Sequence, residues 1–153
     1  MASRNRTVGH EYEREIVKLF KEAGFENVAT SRLCNRLRDS QKIDITNADE
    51  GEFGRLPYNI QAKCMVGVIP YQKFLSEIPL TEGLINVVLH KKTLKSASGK
   101  TFQTKERYAF LYQHDFLRMV KEIEDLKVEN KHLKENMTSL QSLMTLKDRQ
   151  NGN

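Results

Sequence analysis

The chain contains no tryptophan, only two cysteines and only three prolines among its 153 residues, and each scarcity removes a class of explanation. Cys34 and Cys64 show no CxxC or CxxH spacing, so neither a disulfide framework nor a zinc site is expected, and Cys64 reads as a small apolar filler. His10, His90 and His114 stand in no metal-like spacing with one another or with a cysteine, and are expected at the surface or beside a site. No apolar run approaches the ~18 residues that a membrane span requires. The N-terminus passes from Arg4 and Arg6 to Glu11 without an apolar segment, so no secretion leader is expected. A cytoplasmic chain with no membrane partner is expected.

What the chain has instead is positive charge, unevenly placed. Lys and Arg number 25 against 20 Asp and Glu, a net charge of +5. From Asp115 onward basic and acidic residues are equal at seven each, so residues 1–114 carry 18 basic against 13 acidic and the whole surplus. A basic globular part suits a polyanion, whose phosphates release counterions as cations approach. Arg32, Arg36 and Arg38 cluster in the loop before the Asp44 strand; Lys91, Lys92, Lys95 and Lys100 surround Ser96-Ala97-Ser98-Gly99, which reads as a hairpin tip. Both clusters are candidate DNA contacts or simply solvated faces.

Periodicity gives an α/β domain. An amphipathic helix runs from about Val8 to Ala23, with Tyr12, Ile16, Leu19, Phe20 and Ala23 as its apolar stripe and Glu11, Glu15, Lys18 and Glu22 on the far side. Strands are expected at Phe25 to Thr30, Ile43 to Thr46, Tyr58 to Lys63, Ile85 to His90 and Arg107 to Leu111. A short helix starts at Pro70-Tyr71 and runs through about Ser76, and Pro79 ends that segment. The expected architecture is a mixed sheet flanked by helices over residues 1–114, a long helix over 115–147 and a frayed tail over 148–153.

Chemistry concentrates in two strands. In Lys42-Ile43-Asp44-Ile45 the aspartate points away from both isoleucines, and in Ile60-Gln61-Ala62-Lys63 the amide and the ammonium share a face. A carboxylate, an amide oxygen and a cation on one edge make either a magnesium site beside a fixed charge or an ordinary polar hairpin face. Mg²⁺ takes oxygen ligands, and one or two carboxylates plus a substrate phosphate hold it. Glu13 falls at the edge of the helix face that packs on the sheet, where an unpaired carboxylate is costly. It needs either a metal or a cation such as Arg36 or Lys63.

The runs Gly9-His10-Glu11-Tyr12-Glu13-Arg14-Glu15, Gly24-Phe25-Glu26-Asn27-Val28, Ser31-Arg32, Ile43-Asp44-Ile45 and Gln61-Ala62-Lys63 together resemble the PD-(D/E)XK nucleases. The look is of Holliday-junction resolvases of the archaeal and phage type, over roughly residues 7 to 115. The resemblance implies a restriction-endonuclease-like fold, a Mg²⁺ or Mn²⁺ cofactor, and catalytic roles for Glu13, Asp44, Gln61 and Lys63. Metal ligands would be Asp44, Gln61, Glu13 and the backbone carbonyl of Ala62. It also suggests a bacterial or phage-infected cell as the setting. Gln61 stands where the resolvases usually carry a glutamate, a variant similar to that of restriction enzymes acting on modified DNA.

Beyond the domain a heptad frame fits from Phe116. Position a holds Phe116, Ile123, Asn130, Met137 and Met144, and position d holds Met119, Leu126, Leu133, Leu140 and Lys147. Asparagine at a single a position, with Glu122 and Glu129 at g facing Lys127 and Lys134 at e, specifies a parallel two-stranded coil. The alternative is an amphipathic helix folded back on its own domain. The sequence thus points to a magnesium-dependent, structure-selective endonuclease acting on branched DNA as a homodimer. The alternatives are a restriction- or repair-type enzyme on duplex DNA, or a non-catalytic dimeric DNA-binding adaptor on a degenerate nuclease scaffold.

Overall fold

A computed structural model of the protein describes residues 2–48, 55–95 and 102–151, with side chains over 6–48, 55–94 and 104–142. Residues 96–100 and the side chains of Lys95, Met144 and Lys147 lie outside what is described. The chain divides into two units, Met1–Tyr112 and Gln113–Asn153.

The first unit opens with α1 (Ala2–Glu22), which starts well before the expected Val8. Its end is fixed by local chemistry. Gly24 adopts a left-handed φ of 95°, the Gly24 N–H bonds the Lys21 carbonyl at 3.0 Å and the Phe25 N–H bonds the Phe20 carbonyl at 3.0 Å. The Phe20 and Phe25 rings meet edge to face at 5.7 Å. This pair of bonds with an apolar clasp is a Schellman stop, which only a residue tolerant of positive φ completes without strain.

Strand β1 (Val28–Thr30) follows, then β2 (Ile45–Asn47), β3 (Tyr58–Val66), β4 (Ile85–Lys95) and β5 (Phe102–Phe110), forming one sheet in that order. Neighbours β1/β2, β2/β3 and β4/β5 are antiparallel, while β3 and β4 are parallel. A parallel pair needs a crossover, and the crossover here contains α4 (Tyr71–Glu77). The mixed sheet with flanking helices agrees with the expected class.

The segment between β1 and Asp44 departs from the expected loop. It folds into α2 (Ser31–Cys34) and α3 (Arg36–Ser40), with the Asn35 side chain accepting a hydrogen bond from the Arg38 N–H at 3.1 Å. Asparagine at an N-cap is a helix start signal. Asp44 itself lies just outside β2, which begins one residue later. The chain turns out of α3 through Lys42 at φ 63°, an unusual conformation for a side chain with a Cβ.

The two faces of the sheet hold different helices. Register partners share a face; Gln61 pairs with Val88, and Val88 packs with Ile43, Ile69, Leu75 and Ile78 under α4. Lys91 pairs with Cys64 and Arg107 and reaches α1, where its Nζ lies 2.5 Å from Glu15 Oε2 and 5.5 Å from the centre of the Tyr12 ring. Tyr12 and Ile16 are buried as expected, but Leu19 is half exposed. Glu15, expected on the outer side of α1, is instead clamped by Lys91 and Arg107. Cys34 and Cys64 are free thiols.

The second unit is α5 (Gln113–Asn151), 39 residues and therefore about 58 Å long at ~1.5 Å per residue. Its heptad side chains Phe116, Ile123, Leu126, Leu133, Met137 and Leu140 are all exposed by about half or more. The Asn130 Nδ2 donates to the Leu126 carbonyl at 2.9 Å. Among the described residues no helix is long and apolar enough to cross a membrane.

Truncating Leu75 to alanine removes the anchor of α4 and is expected to cost about 2–5 kcal/mol in urea unfolding, whereas Leu19→Ala, at a half-exposed position, costs less than about 1 kcal/mol.

Candidate functional site

The site forms where β2 has just begun to pair with β3. The Asp44 N–H bonds the Ile60 carbonyl at 2.8 Å, and two residues further along β3 the Ala62 N–H donates to Asp44 Oδ2 at 2.7 Å. A residue's N–H and C=O lie on the same edge of its strand, so the Ala62 carbonyl also faces the Asp44 side. A side chain therefore occupies the place that a strand neighbour would fill. On its other side Asp44 is tied down as well, its carbonyl accepting the Ser31 N–H at 2.9 Å.

Burial is the largest influence on Asp44 and pushes its carboxyl up to about 6; the Ala62 N–H and the Lys63 charge favour the ionised form, and the Glu13 charge opposes it. Glu13 is buried on α1, and burial raises its pKa too, although the Arg32 guanidinium pulls the other way. Two carboxylates and Lys63 thus lie close enough to act on one another. They come from opposite faces: Glu13 from the helix on one, Lys63 from the strand face that looks toward α4.

Gln61 is almost wholly buried. With its amide set so that both ends are matched, Nε2 donates to the Phe74 carbonyl at 3.3 Å and Oε1 accepts from Lys63 Nζ at 3.2 Å. Lys63 Nζ also sits 4.8 Å above the centre of the Phe74 ring. Helix α4 therefore aims the lysine through Gln61 and Phe74. In this arrangement the Gln61 oxygen serves the lysine, where the resemblance had offered it as a metal ligand.

The predicted basic residues separate. Arg32, from the first turn of α2, reaches into the site, where its guanidinium engages both the Glu13 carboxylate and the His10 ring. Arg36 is exposed, and Arg38 Nη1 lies 3.5 Å from Thr81 Oγ1. Lys91 is taken by Glu15, and Lys92 pairs with Glu106 at 3.5 Å. His90 is buried in β4 rather than at the surface, with burial lowering its pKa.

A cleft of about 230 Å³ opens beside Glu13, lined by His10, Glu13, Arg14, Thr30, Arg32 and Leu33. Burial and then the Arg32 charge lower the pKa of His10. Three participants escaped the sequence reading: the His10–Arg32–Glu13 contact, the Phe74 support, and Ser31. Ser31 is fully buried and its hydroxyl has no hydrogen-bond partner among the described residues. No local signal in the sequence marks the first.

Among the described residues no group of three or more His, Cys, Asp or Glu side chains is placed to hold a metal. The donors at hand are two carboxylates and a backbone carbonyl, all hard oxygens. That set fits Mg²⁺ or Mn²⁺, which one or two carboxylates and substrate oxygens hold, and does not fit a thiophilic ion. No family model, curated protein or solved structure matches the chain.

Because the folded-state pKa of Asp44 is raised, its contribution to stability is present below about pH 4 and is lost as pH rises through about 6. Asp44→Asn keeps an acceptor for the Ala62 N–H and removes the charge. It is expected to stabilise the protein by about 1–2 kcal/mol at pH 8 and by almost nothing at pH 4, read from urea unfolding at the two pH values.

Proposed function

We propose that the protein is a divalent-metal-dependent DNA endonuclease of the PD-(D/E)XK type, resolving branched DNA of the Holliday-junction class. The observation that carries the reading is the Asp44 carboxylate held against the β3 edge at the Ala62 N–H, charge-coupled to Glu13 and Lys63. Carboxylates forced together out of water are a costly arrangement that a bound cation relieves.

Asp44, Glu13 and the Ala62 carbonyl would hold Mg²⁺ or Mn²⁺. Such an ion, when bound, polarises a phosphoryl oxygen and lowers the pKa of water to within reach of neutral pH. The remaining work belongs to the chain. Lys63, aimed by Gln61 and Phe74, sets a fixed positive charge where negative charge grows on the scissile phosphate. Arg32, Arg36 and Arg38 supply cations on the approach to that phosphate, adding the salt-sensitive part of DNA affinity. The restriction-endonuclease-like identity of the fold is part of the same proposal, supported by the mixed sheet and by the placement of the acids at β2 and on α1.

The exposed heptad stripe of α5 supports a parallel homodimer, with Asn130 pairing across the seam and two globular units carried at one end. A twofold pair of sites suits symmetric nicks on a four-way junction. A non-catalytic adaptor is the second reading, favoured by Gln61 standing where an acid would add charge and by the engagement of Glu13 with Arg32.

With Mg²⁺ or Mn²⁺ the protein is expected to cut a four-way junction in preference to duplex of matching sequence. Asp44→Ala or Lys63→Ala lowers the cleavage rate by about 10²-fold or more while gel-shift affinity is retained. Equal cleavage of both substrates points to a restriction- or repair-type enzyme. Absence of cleavage by the parent protein points to the adaptor.

Leu126→Glu, at the heart of the seam, is expected to turn a dimer into a monomer in sedimentation equilibrium. The sheet's circular dichroism and the melting of the first unit stay unchanged.

A further inference from the structure

Glu13 is held by a residue that is equally suited to another ligand. Its side chain is 12% exposed and that of Arg32 33%, so the carboxylate is the buried partner and the guanidinium the one with access to solvent. A carboxylate in that setting stays ionised only beside a cation. The planar guanidinium fork matches carboxylate and phosphate alike. Arg32 belongs to a four-residue helix, so its side chain can reorient without disturbing the sheet. The cleft into which it projects presents Arg14, Arg32 and His10 to an incoming anion, with Glu13 as the single opposing charge. A divalent cation on Glu13 and a guanidinium on the same carboxylate repel each other.

We infer that Arg32 is an exchangeable counter-ion: it holds Glu13 while the cleft is empty and transfers to a DNA backbone phosphate when one enters, so that DNA and divalent cation bind cooperatively. The inference rests on the nuclease reading above and adds an order of events to it. Without DNA, Arg32 competes with the metal and the site loads poorly. With a phosphate in the cleft, Glu13 is released as an oxygen donor. By reciprocity, cation must then raise affinity for DNA by the factor by which DNA raises affinity for cation.

The test is Mn²⁺ binding to DNA-free protein, read from the electron paramagnetic resonance of the free ion. Arg32→Gln is expected to bind Mn²⁺ about fivefold or more tightly than the parent, and in a Glu13→Gln background the same change has no effect. Fluorescence anisotropy of a labelled junction is expected to show Ca²⁺ strengthening DNA binding by the parent but not by Arg32→Gln, with intact DNA verified on the same samples. Arg32→Met, which likewise removes the charge, carries the same comparison if Arg32→Gln does not fold. Equal or weaker Mn²⁺ binding by the variant overturns the exchange while leaving the nuclease reading intact. A parent protein that neither binds Mn²⁺ nor cleaves defeats that reading, and the exchange with it.

Discussion

Two carboxylates withdrawn from water within reach of each other govern the organisation of the first unit. Ionised, Asp44 and Glu13 repel and are poorly solvated; each must be compensated by something nearby. The compensation comes from three directions: a backbone N–H of β3 for Asp44, a guanidinium from α2 for Glu13, and the Lys63 ammonium acting on both. Each depends on a different piece of the fold. The β2/β3 pairing presents Ala62, the short helix α2 carries Arg32, and the α4 crossover supplies the Phe74 ring and carbonyl that steady Lys63. Functional sites commonly retain such charge at the expense of stability, and the raised pKa of Asp44 is the measure of that expense here.

The helices flanking the sheet divide the labour. Helix α1 is fastened by Tyr12 and Ile16 and by the Glu15 clamp with Lys91 and Arg107, so Glu13 is delivered from a rigid element. Helix α4 is fastened by Leu75 and Ile78 and delivers support to the strand face that carries Gln61 and Lys63. Between them lies the short α2–α3 segment, whose leucines 33 and 37 are largely exposed. Glu13 and Lys63 stand on long elements, and Arg32 on a short one.

The sequence made the sheet legible because alternation is strong in Ile43-Asp44-Ile45 and Tyr58 to Lys63, and because Pro70 announces α4. It made Glu13 legible because a carboxylate at the margin of an apolar stripe has few places to go. What it hid was pairing. Lys91 and Lys92 look like free cations on a hairpin until Glu15 of α1 meets the first and Glu106 of β5 the second. Arg32 looks like one of three surface arginines until it meets Glu13 in the fold, where a metal, Arg36 or Lys63 had been the candidates for that carboxylate. Charge compensation is a long-range choice among many candidates, and no local rule of periodicity selects the partner.

The sheet's outer strands carry a consequence of their own. At one margin β1 is three residues long; at the other, β5 runs Lys105-Glu106-Arg107 along its length. A brief border and a charged one are both poor templates for another chain's backbone, so ribbon-to-ribbon accretion is discouraged at either side. Under the proposed dimer, the exposed apolar stripe on α5 would let copies of this protein associate without offering a sheet border to one another.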